Sequence, residues 1–302
     1  MTWSTPAPAS PVPVGNASDA MISFEFDFRS RAPQPPLHEV VESIWYARGR
    51  VPYRSERIAP TGSTVAVLVL GDPIIETAQG REPLQSDSGF LIGPHDGPVH
   101  NQPTGETFAV GIVTTPVGCA PVFGLAPRTL RRRVVDVREC WPRAVALRAE
   151  LLDTDGPEEM LQLVETWLHT EVSPSTPDLV RRAVALVELD PVRSIGEIAR
   201  ELGVSHSHLD RAFGRIVGLS PRVLARLLRM RRLLAAIEVD VDHDWAATAA
   251  SLGWYDQAHL IRDFKRHTGV TPLAYLAAQR AFASNVAGVD TAGFVPDGDG
   301  YE

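Results

Sequence analysis

Toward the C-terminal end of the chain, Ser207, Asp210 and Arg211 stand three and four residues apart, so on a helix they share one face. These types suit a nucleic acid: arginine offers two donors to O6 and N7 of guanine, and aspartate can accept from N4 of cytosine. Ser205, His206 and His208 lie beside them, and Arg215 follows one turn on. The two imidazoles of Ser205-His206-Ser207-His208 are two residues apart and point to different sides of a helix, so contact with DNA fits them better than a shared metal. Other chemistries lack anchors. No Gly-x-Gly-x-x-Gly, Gly-x-x-x-x-Gly-Lys or Gly-x-Ser-x-Gly stands where it could act. His95, His100 and Glu106 are metal-ligating types, but they lack a paired His-x-His and fall in a Pro/Gly loop. Cys119 and Cys140 are too few for a four-thiolate zinc site and read as ordinary thiols, with a redox pair as the alternative. No cofactor and no enzymatic activity is expected.

The polar face needs a helix to carry it. Ile195, Ile198, Ala199 and Leu202 line one side of a short helix, and Gly203 supplies the left-handed residue that ends it. Ser205 is an N-cap for a second helix, in which Leu209, Ala212, Phe213 and Ile216 form the buried side. Two helices joined by a tight glycine turn, the second with a polar outer face, make a helix-turn-helix whose second helix enters the major groove.

The unit then recurs. Ala199, Leu202 and Gly203 reappear 50 residues later as Ala249, Leu252 and Gly253; His208, Leu209, Arg211, Phe213, Arg215, Gly218 and Pro221 reappear 51 later as His259, Leu260, Arg262, Phe264, Arg266, Gly269 and Pro272. Helix-turn-helix units are expected over 195–217 and 245–268. Val223 to Glu238, with Arg222, Arg226, Arg229, Arg231 and Arg232 along it, is a strong helix former and reads as a structural connector. Readers that enter one face of DNA together should lie about one helical turn, roughly 34 Å, apart.

Charge divides the 302-residue chain in the same place. Its net charge of -8 separates into 14 Lys+Arg against 21 Asp+Glu over residues 1–177, 15 against 12 over 178–280, and 0 against 4 beyond. A basic module follows an acidic one. The 44% hydrophobic and 22% charged composition is that of a soluble globular protein. No apolar run is long enough to span a membrane, no secretory signal is present, and two cysteines fit a reducing compartment, so the expected location is cytoplasmic. Residues 1–20 are Pro, Ala and Ser rich and read as a disordered tail. Runs such as Thr64 to Leu70 and Phe108 to Val113, punctuated by Gly71-Asp72-Pro73 and His95-Asp96-Gly97-Pro98, predict strands in a small barrel or sandwich. After Trp141 the period turns helical and predicts a helix pair, which either lids the strands or forms a two-fold dimer contact. The fold class is α+β with two domains: a β-barrel or sandwich with its helix pair over 21–172, a linker at 173–177, an all-α domain over 178–281, and a disordered acidic tail at 282–302.

Residues 178–280 also resemble a known family. Ala199-x-x-Leu202-Gly203-Val204-Ser205 and Leu209-x-Arg211-x-Phe213-x-x-x-x-Gly218-x-Ser220-Pro221, repeated as Ala249-x-x-Leu252-Gly253-Trp254 and Phe264-Lys265-x-x-x-Gly269-Val270-Thr271-Pro272, are similar to the arabinose-regulator (AraC/XylS) type of bacterial transcription factors. The resemblance implies base-facing residues at Ser207, Asp210 and Arg211 in the first unit and at Gln257, Ala258 and Arg262 in the second. A DNA-contacting set then follows of Ser205, His206, Ser207, His208, Asp210, Arg211, Arg215, Asp256, Gln257, Ala258, His259, Arg262 and Arg266. The chain departs from the pattern at Ala258, where the family usually has serine, and at Leu260, where it often has phenylalanine; Asp210 and Asp263 bring negative charge toward the phosphates. Trp45, the Ile58-Ala59-Pro60-Thr61-Gly62 step, and Gly111 through Gly118 into Phe123-Gly124 resemble the β-barrel sensor domain found ahead of this module. The implied protein is a sequence-specific, effector-responsive transcription regulator. Its implied partners are double-stranded promoter DNA, RNA polymerase, an unknown small-molecule effector and a possible second copy of the chain. A cupin-type metal oxygenase and a non-specific architectural DNA-binding protein are the competing readings.

Overall fold

The alternating and β-branched runs of the first half form two antiparallel sheets in the computed structural model, which describes residues 26–172, 176–282 and 293–297. The strands are β1 (Phe26–Arg31), β2 (Val41–Gly49), β3 (Ser55–Ile58), β4 (Val65–Val69), β5 (Ile74–Ala78), β6 (Leu84–Ser86), β7 (Gly89–Ile92), β8 (Val99–Pro103), β9 (Thr107–Thr114), β10 (Val134–Asp136) and β11 (Phe294–Asp297). One sheet runs β1-β2-β9-β4-β7-β10 and the other β11-β3-β8-β5-β6. They face each other across Val67, Val69, Ile74, Phe90, Ile92, Val99 and Ala109. The arrangement is a sandwich of two open sheets, not a closed barrel; inward alternation along each strand serves either architecture, so periodicity alone does not separate them.

Among the described residues this half carries five α-helices: α1 (Cys119–Phe123), α2 (Pro127–Leu130), α3 (Val137–Cys140), α4 (Arg143–Leu152) and α5 (Pro157–Glu171). The apolar sides of α4 and α5 lie on the outer face of the six-stranded sheet, where Leu147, Leu151, Leu161, Val164 and Leu168 join Ile44, Leu68, Leu91 and Ile112 in one core. Trp141 packs edge-on between Phe123, at 4.9 Å, and Trp167, at 5.6 Å. The helix pair therefore covers the sheet.

The second half is helical: α6 (Asp178–Leu189), α7 (Ile195–Glu201), α8 (His206–Ile216), α9 (Pro221–Ala236), α10 (Trp245–Ser251), α11 (Gln257–Thr268) and α12 (Pro272–Phe282). It has two cores. Val180, Ala183, Ile198, Leu209, Phe213, Leu224 and Leu227 build the first; Met230, Leu233, Leu234, Ala249, Trp254, Leu260, Phe264, Tyr275 and Leu276 build the second. The long helix α9 supplies residues to both, so each helix-turn-helix is packed on the same rod. Gly203 and Gly253 have φ of +70° and +78°, the left-handed turn each unit needs between its helices.

Phe294–Asp297 corrects an expectation. Placed in a disordered acidic tail by composition, it forms β11, pairs antiparallel with β3, and buries Val295 in the second helical core. Three apolar residues, one of them Pro296, between Gly293 and Asp297 are too short a run to register as a strand in the sequence; pairing with β3 and packing on α12 supply what local propensity lacks. The 1–20 tail, the first three residues of the linker, and residues 283–292 and 298–302 of the C-terminal tail lie outside the described residues.

The two halves are tied together. Val117 enters the first helical core and Ala59 the second. Arg231 of α9 reaches Glu42 of β2 at 2.7 Å, and α2 packs against α8.

Candidate nucleic-acid interface

Each second helix is held by the same pair of buried anchors and offers the opposite side to solvent. Leu209 and Phe213 in α8, and Leu260 and Phe264 in α11, are fully buried. Opposite them Ser205, His206, Ser207, His208, Arg211 and Arg215 are exposed, with Asp210 half-buried. In the second unit Asp256, Gln257, Ala258 and Arg262 are exposed and His259 is half-buried. Caps start both helices: Ser205 Oγ accepts from the His208 amide at 3.2 Å, and Asp256 Oδ1 accepts from the His259 amide at 2.6 Å. Ser205 and Asp256 thus act first as caps, with their free lone pairs at the positive end of each helix.

Some of the expected residues have partners within the chain. His206 Nδ1 lies 3.3 Å from Asp210 Oδ2, one turn along α8, so the aspartate is bridged on its own helix. His259 stands in the same relation to Asp263, at 3.5 Å. Asp263 does not carry charge toward a bound phosphate: it is 7% exposed and its Oδ2 accepts from Trp254 Nε1 at 3.0 Å. Arg229 lies over the Trp254 ring at 4.8 Å and donates to the Gly253 carbonyl, and Arg232 donates to the Glu188 and Leu189 carbonyls. The connector arginines Arg229, Arg231 and Arg232 are thereby structural, as the helix reading held.

Arg266 is the departure with consequences. Expected among the DNA contacts, it donates within the chain from Nη2 to Asp96 Oδ2 at 2.8 Å, across the boundary between the halves. Asp96, in the β7–β8 loop, also takes both prongs of Arg132, Nε to Oδ1 at 2.7 Å and Nη2 to Oδ2 at 2.9 Å. Its backbone carbonyl accepts from His267 Nδ1 at 2.9 Å. One loop residue thus clamps the C-terminal turn of α11 to the sandwich. Burial pushes the Asp96 carboxyl upward, but the hydrogen bonds and charges of Arg266 and Arg132 outweigh burial and hold it below its ordinary value. Asp96, Arg132 and His267 were not among the expected functional residues. Asp96 reads locally as part of a His-Asp-Gly-Pro turn, and nothing near it signals a partner 170 residues away.

Two buried imidazoles sit at this junction. His95 Nδ1 donates to the Gly93 carbonyl at 2.8 Å, and His267 Nδ1 to that of Asp96; in each neutral ring Nε2 is left as a buried lone pair without a hydrogen-bond partner. Burial lowers both below the usual imidazole value, against the opposing pull of those carbonyl bonds. A folded-state value below the unfolded one, about 6.5, means the unfolded chain takes up its proton first as pH falls. Stability is then full above about pH 6.5 and drains below it, and Asp96 adds a further loss below about pH 4. The urea midpoint is expected to fall between about pH 7 and pH 5, and His267→Gln to flatten that slope; an unchanged slope in the variant would show that His267 is not one of the titrating groups.

The remaining candidates do not converge. Glu106 accepts from Arg48 Nε at 3.2 Å, His95 is held by Gly93, and among the described residues no three His, Cys, Asp or Glu side chains are grouped to hold a metal. Burial pushes the Cys119 and Cys140 thiols up to about 11, which makes both poor nucleophiles at neutral pH. Among the described residues no helix is long and apolar enough to cross a membrane.

Comparison with known proteins adds a domain assignment. A profile described as a helix-turn-helix domain matches residues 198–278, and one described as a domain of unknown function, DUF6597, matches residues 29–136. No curated protein matches the chain. Among solved structures, ToxT from Vibrio cholerae is similar at 12% identity and a TM-score of 0.45, covering 84% of this chain and 98% of its own. A probable AraC family transcriptional regulator from Rhodopseudomonas palustris CGA009 is similar at 27% identity and a TM-score of 0.30, covering 35% of this chain and 98% of its own. A DNA-binding transcriptional dual regulator from Escherichia coli K-12 is similar at 24% identity and a TM-score of 0.31, covering 36% of this chain and 98% of its own. The matched profile makes residues 198–278 of this chain a helix-turn-helix domain, and the internal repeat places two such units in it with the polar faces of α8 and α11 exposed.

Proposed function

We propose that α8 and α11 enter adjacent major-groove segments of promoter DNA. Ser207, Asp210 and Arg211 face the bases in one segment, and Gln257, Ala258 and Arg262 in the next; Ser205, His206, His208, Arg215, Asp256 and His259 lie along the flanking backbone. The observation that carries this reading is the shared rod α9: it enters both helical cores, so the two polar faces are presented at a set spacing. The sandwich senses a small molecule, and the Asp96 clamp carries its state to α11. RNA polymerase is the partner of the bound form, a second copy of the chain assembles on it, and the chain performs no catalysis of its own.

Selection of bound genomic fragments, followed by footprinting, tests the reading and supplies the site. Arg211→Ala and Arg262→Ala are each then expected to lose about 1–3 kcal/mol of discrimination at one base position, in different halves of the footprint. Equal loss on every sequence would make the arginines phosphate contacts and the protein an architectural binder.

A further inference from the structure

The sandwich interior holds a polar feature that its fold does not need. β3, β8 and β5 are neighbours, with Glu56 opposite Asn101 and Asn101 opposite Glu76, so the three side chains stand in a row on one face of the sheet. That face points inward: Ile74 and Val99, two residues along β5 and β8, belong to the core between the sheets. Glu56 and Glu76 are 7% and 3% exposed.

The two carboxylates differ in what they meet. Glu56 is satisfied, with Oε2 accepting from Tyr53 Oη at 2.7 Å and Oε1 from Asn101 Nδ2 at 2.8 Å. Glu76 Oε2 is fully buried and has no hydrogen-bond partner. A lone buried carboxylate beside a second one is costly, and an apolar residue of similar volume at 76 would serve the core better. Burial, and then the charge of Glu56, raise Glu76 well above the carboxylate range, the response of a group that lacks a cation.

We infer that Glu56, Asn101 and Glu76, with Tyr53, form a binding site for a small protonated organic amine. The ammonium group donates to the open oxygen of Glu76 and to Glu56, and the apolar residues of the inter-sheet core receive the hydrocarbon part. Calcium or magnesium is served less well, because the row supplies only two carboxylates where such an ion takes six or more oxygens. That this amine is the effector rests on the regulator reading above; that it binds here does not.

Calorimetry on the full chain with butylamine, putrescine and agmatine, and butanol as the neutral counterpart, tests the site. At least one amine is expected to bind and butanol not to. Glu76→Gln keeps the shape and removes the buried charge, and is expected to weaken amine binding by about tenfold or more; Glu56→Gln serves as the second variant should the first fail to fold. In the unmodified chain amine affinity should climb with pH above the ordinary carboxylate range, as the raised Glu76 carboxyl gives up its proton. No amine bound, butanol bound as well as an amine, equal affinity in the folded variants, or an affinity flat in pH would each overturn the site. Measuring DNA affinity with and without the amine separates the two claims. Amine binding that leaves DNA affinity unchanged upholds the site and removes its role as effector site, whereas failure to find a DNA site removes the regulator reading and leaves the calorimetry standing.

Discussion

Truncating Phe264 to alanine is expected to cost about 3–5 kcal/mol and to melt the second DNA-reading unit while leaving the first in place. Phe264 of α11 is fully buried, with Trp245 of α10 edge-on at 6.4 Å and Tyr275 of α12 edge-on at 5.5 Å, so one side chain joins all three helices. A loss of that size is a large fraction of an ordinary domain's total stability. Phe213 holds the corresponding place in the first unit, 51 residues earlier, and belongs to a different core. Because α9 joins the two cores rather than merging them, the damage should stay local. Hydrogen exchange is expected to show Phe264→Ala losing amide protection over 245–282 and keeping it over 195–217, with Phe213→Ala reversing the pattern. Footprints should shrink to one half accordingly. If either variant loses protection evenly across both units, α9 couples them into one cooperative block and the picture of two separable readers fails.

The parts legible in the sequence are those whose logic is local. A helix face, a glycine turn, a capping serine and a buried phenylalanine fall within some twenty residues, and their recurrence at 50 and 51 residues made the second unit visible even where Asp256 replaces Ser205 as the cap. The strands of the first half could be seen by their β-branched apolar runs between turn clusters, and the helix pair by its change of period. What stayed hidden depends on distance along the chain. Asp96 looks like turn punctuation until Arg266 and His267 come beside it, and Asp263 looks like an exposed acid until Trp254 takes it as an acceptor. Glu56 and Glu76 look like the polar half of an alternating strand; only the register across β8 shows that they stand on the inner face together. β11 is the extreme case, four residues whose pairing partner lies more than two hundred positions earlier. In the interface itself, residue type predicted exposure well on α8. Arg266 is exposed as its type predicts, but its Asp96 partner was not legible, because an arginine at the last turn of a recognition helix reaches a phosphate or a neighbouring domain with equal ease.

Asp96→Ala is expected to destabilise the chain by about 2 kcal/mol and, at the same time, to tighten its grip on DNA. Removing one member of a fully buried ion pair costs about 3–5 kcal/mol, but Arg132 and Arg266 are each roughly half exposed and can rehydrate, which brings the figure down. The change takes a negative charge away from the end of α11 and frees the Arg266 guanidinium that Asp96 holds. Each additional phosphate contact adds about 0.9 to the slope of log affinity against log salt, so the variant's slope should steepen by about 1 while its preference among sequences stays the same. In the unmodified chain Arg266→Ala should then lower stability and leave the salt slope where it was, because the side chain is spent on Asp96; in the Asp96→Ala background the same substitution should bring the steepened slope back. That double-mutant comparison reads the clamp directly. If Arg266→Ala alone flattens the salt dependence, the arginine already contacts phosphate in the bound form, Asp96 releases it on binding, and the contact between sandwich and α11 is broken by DNA rather than by an effector.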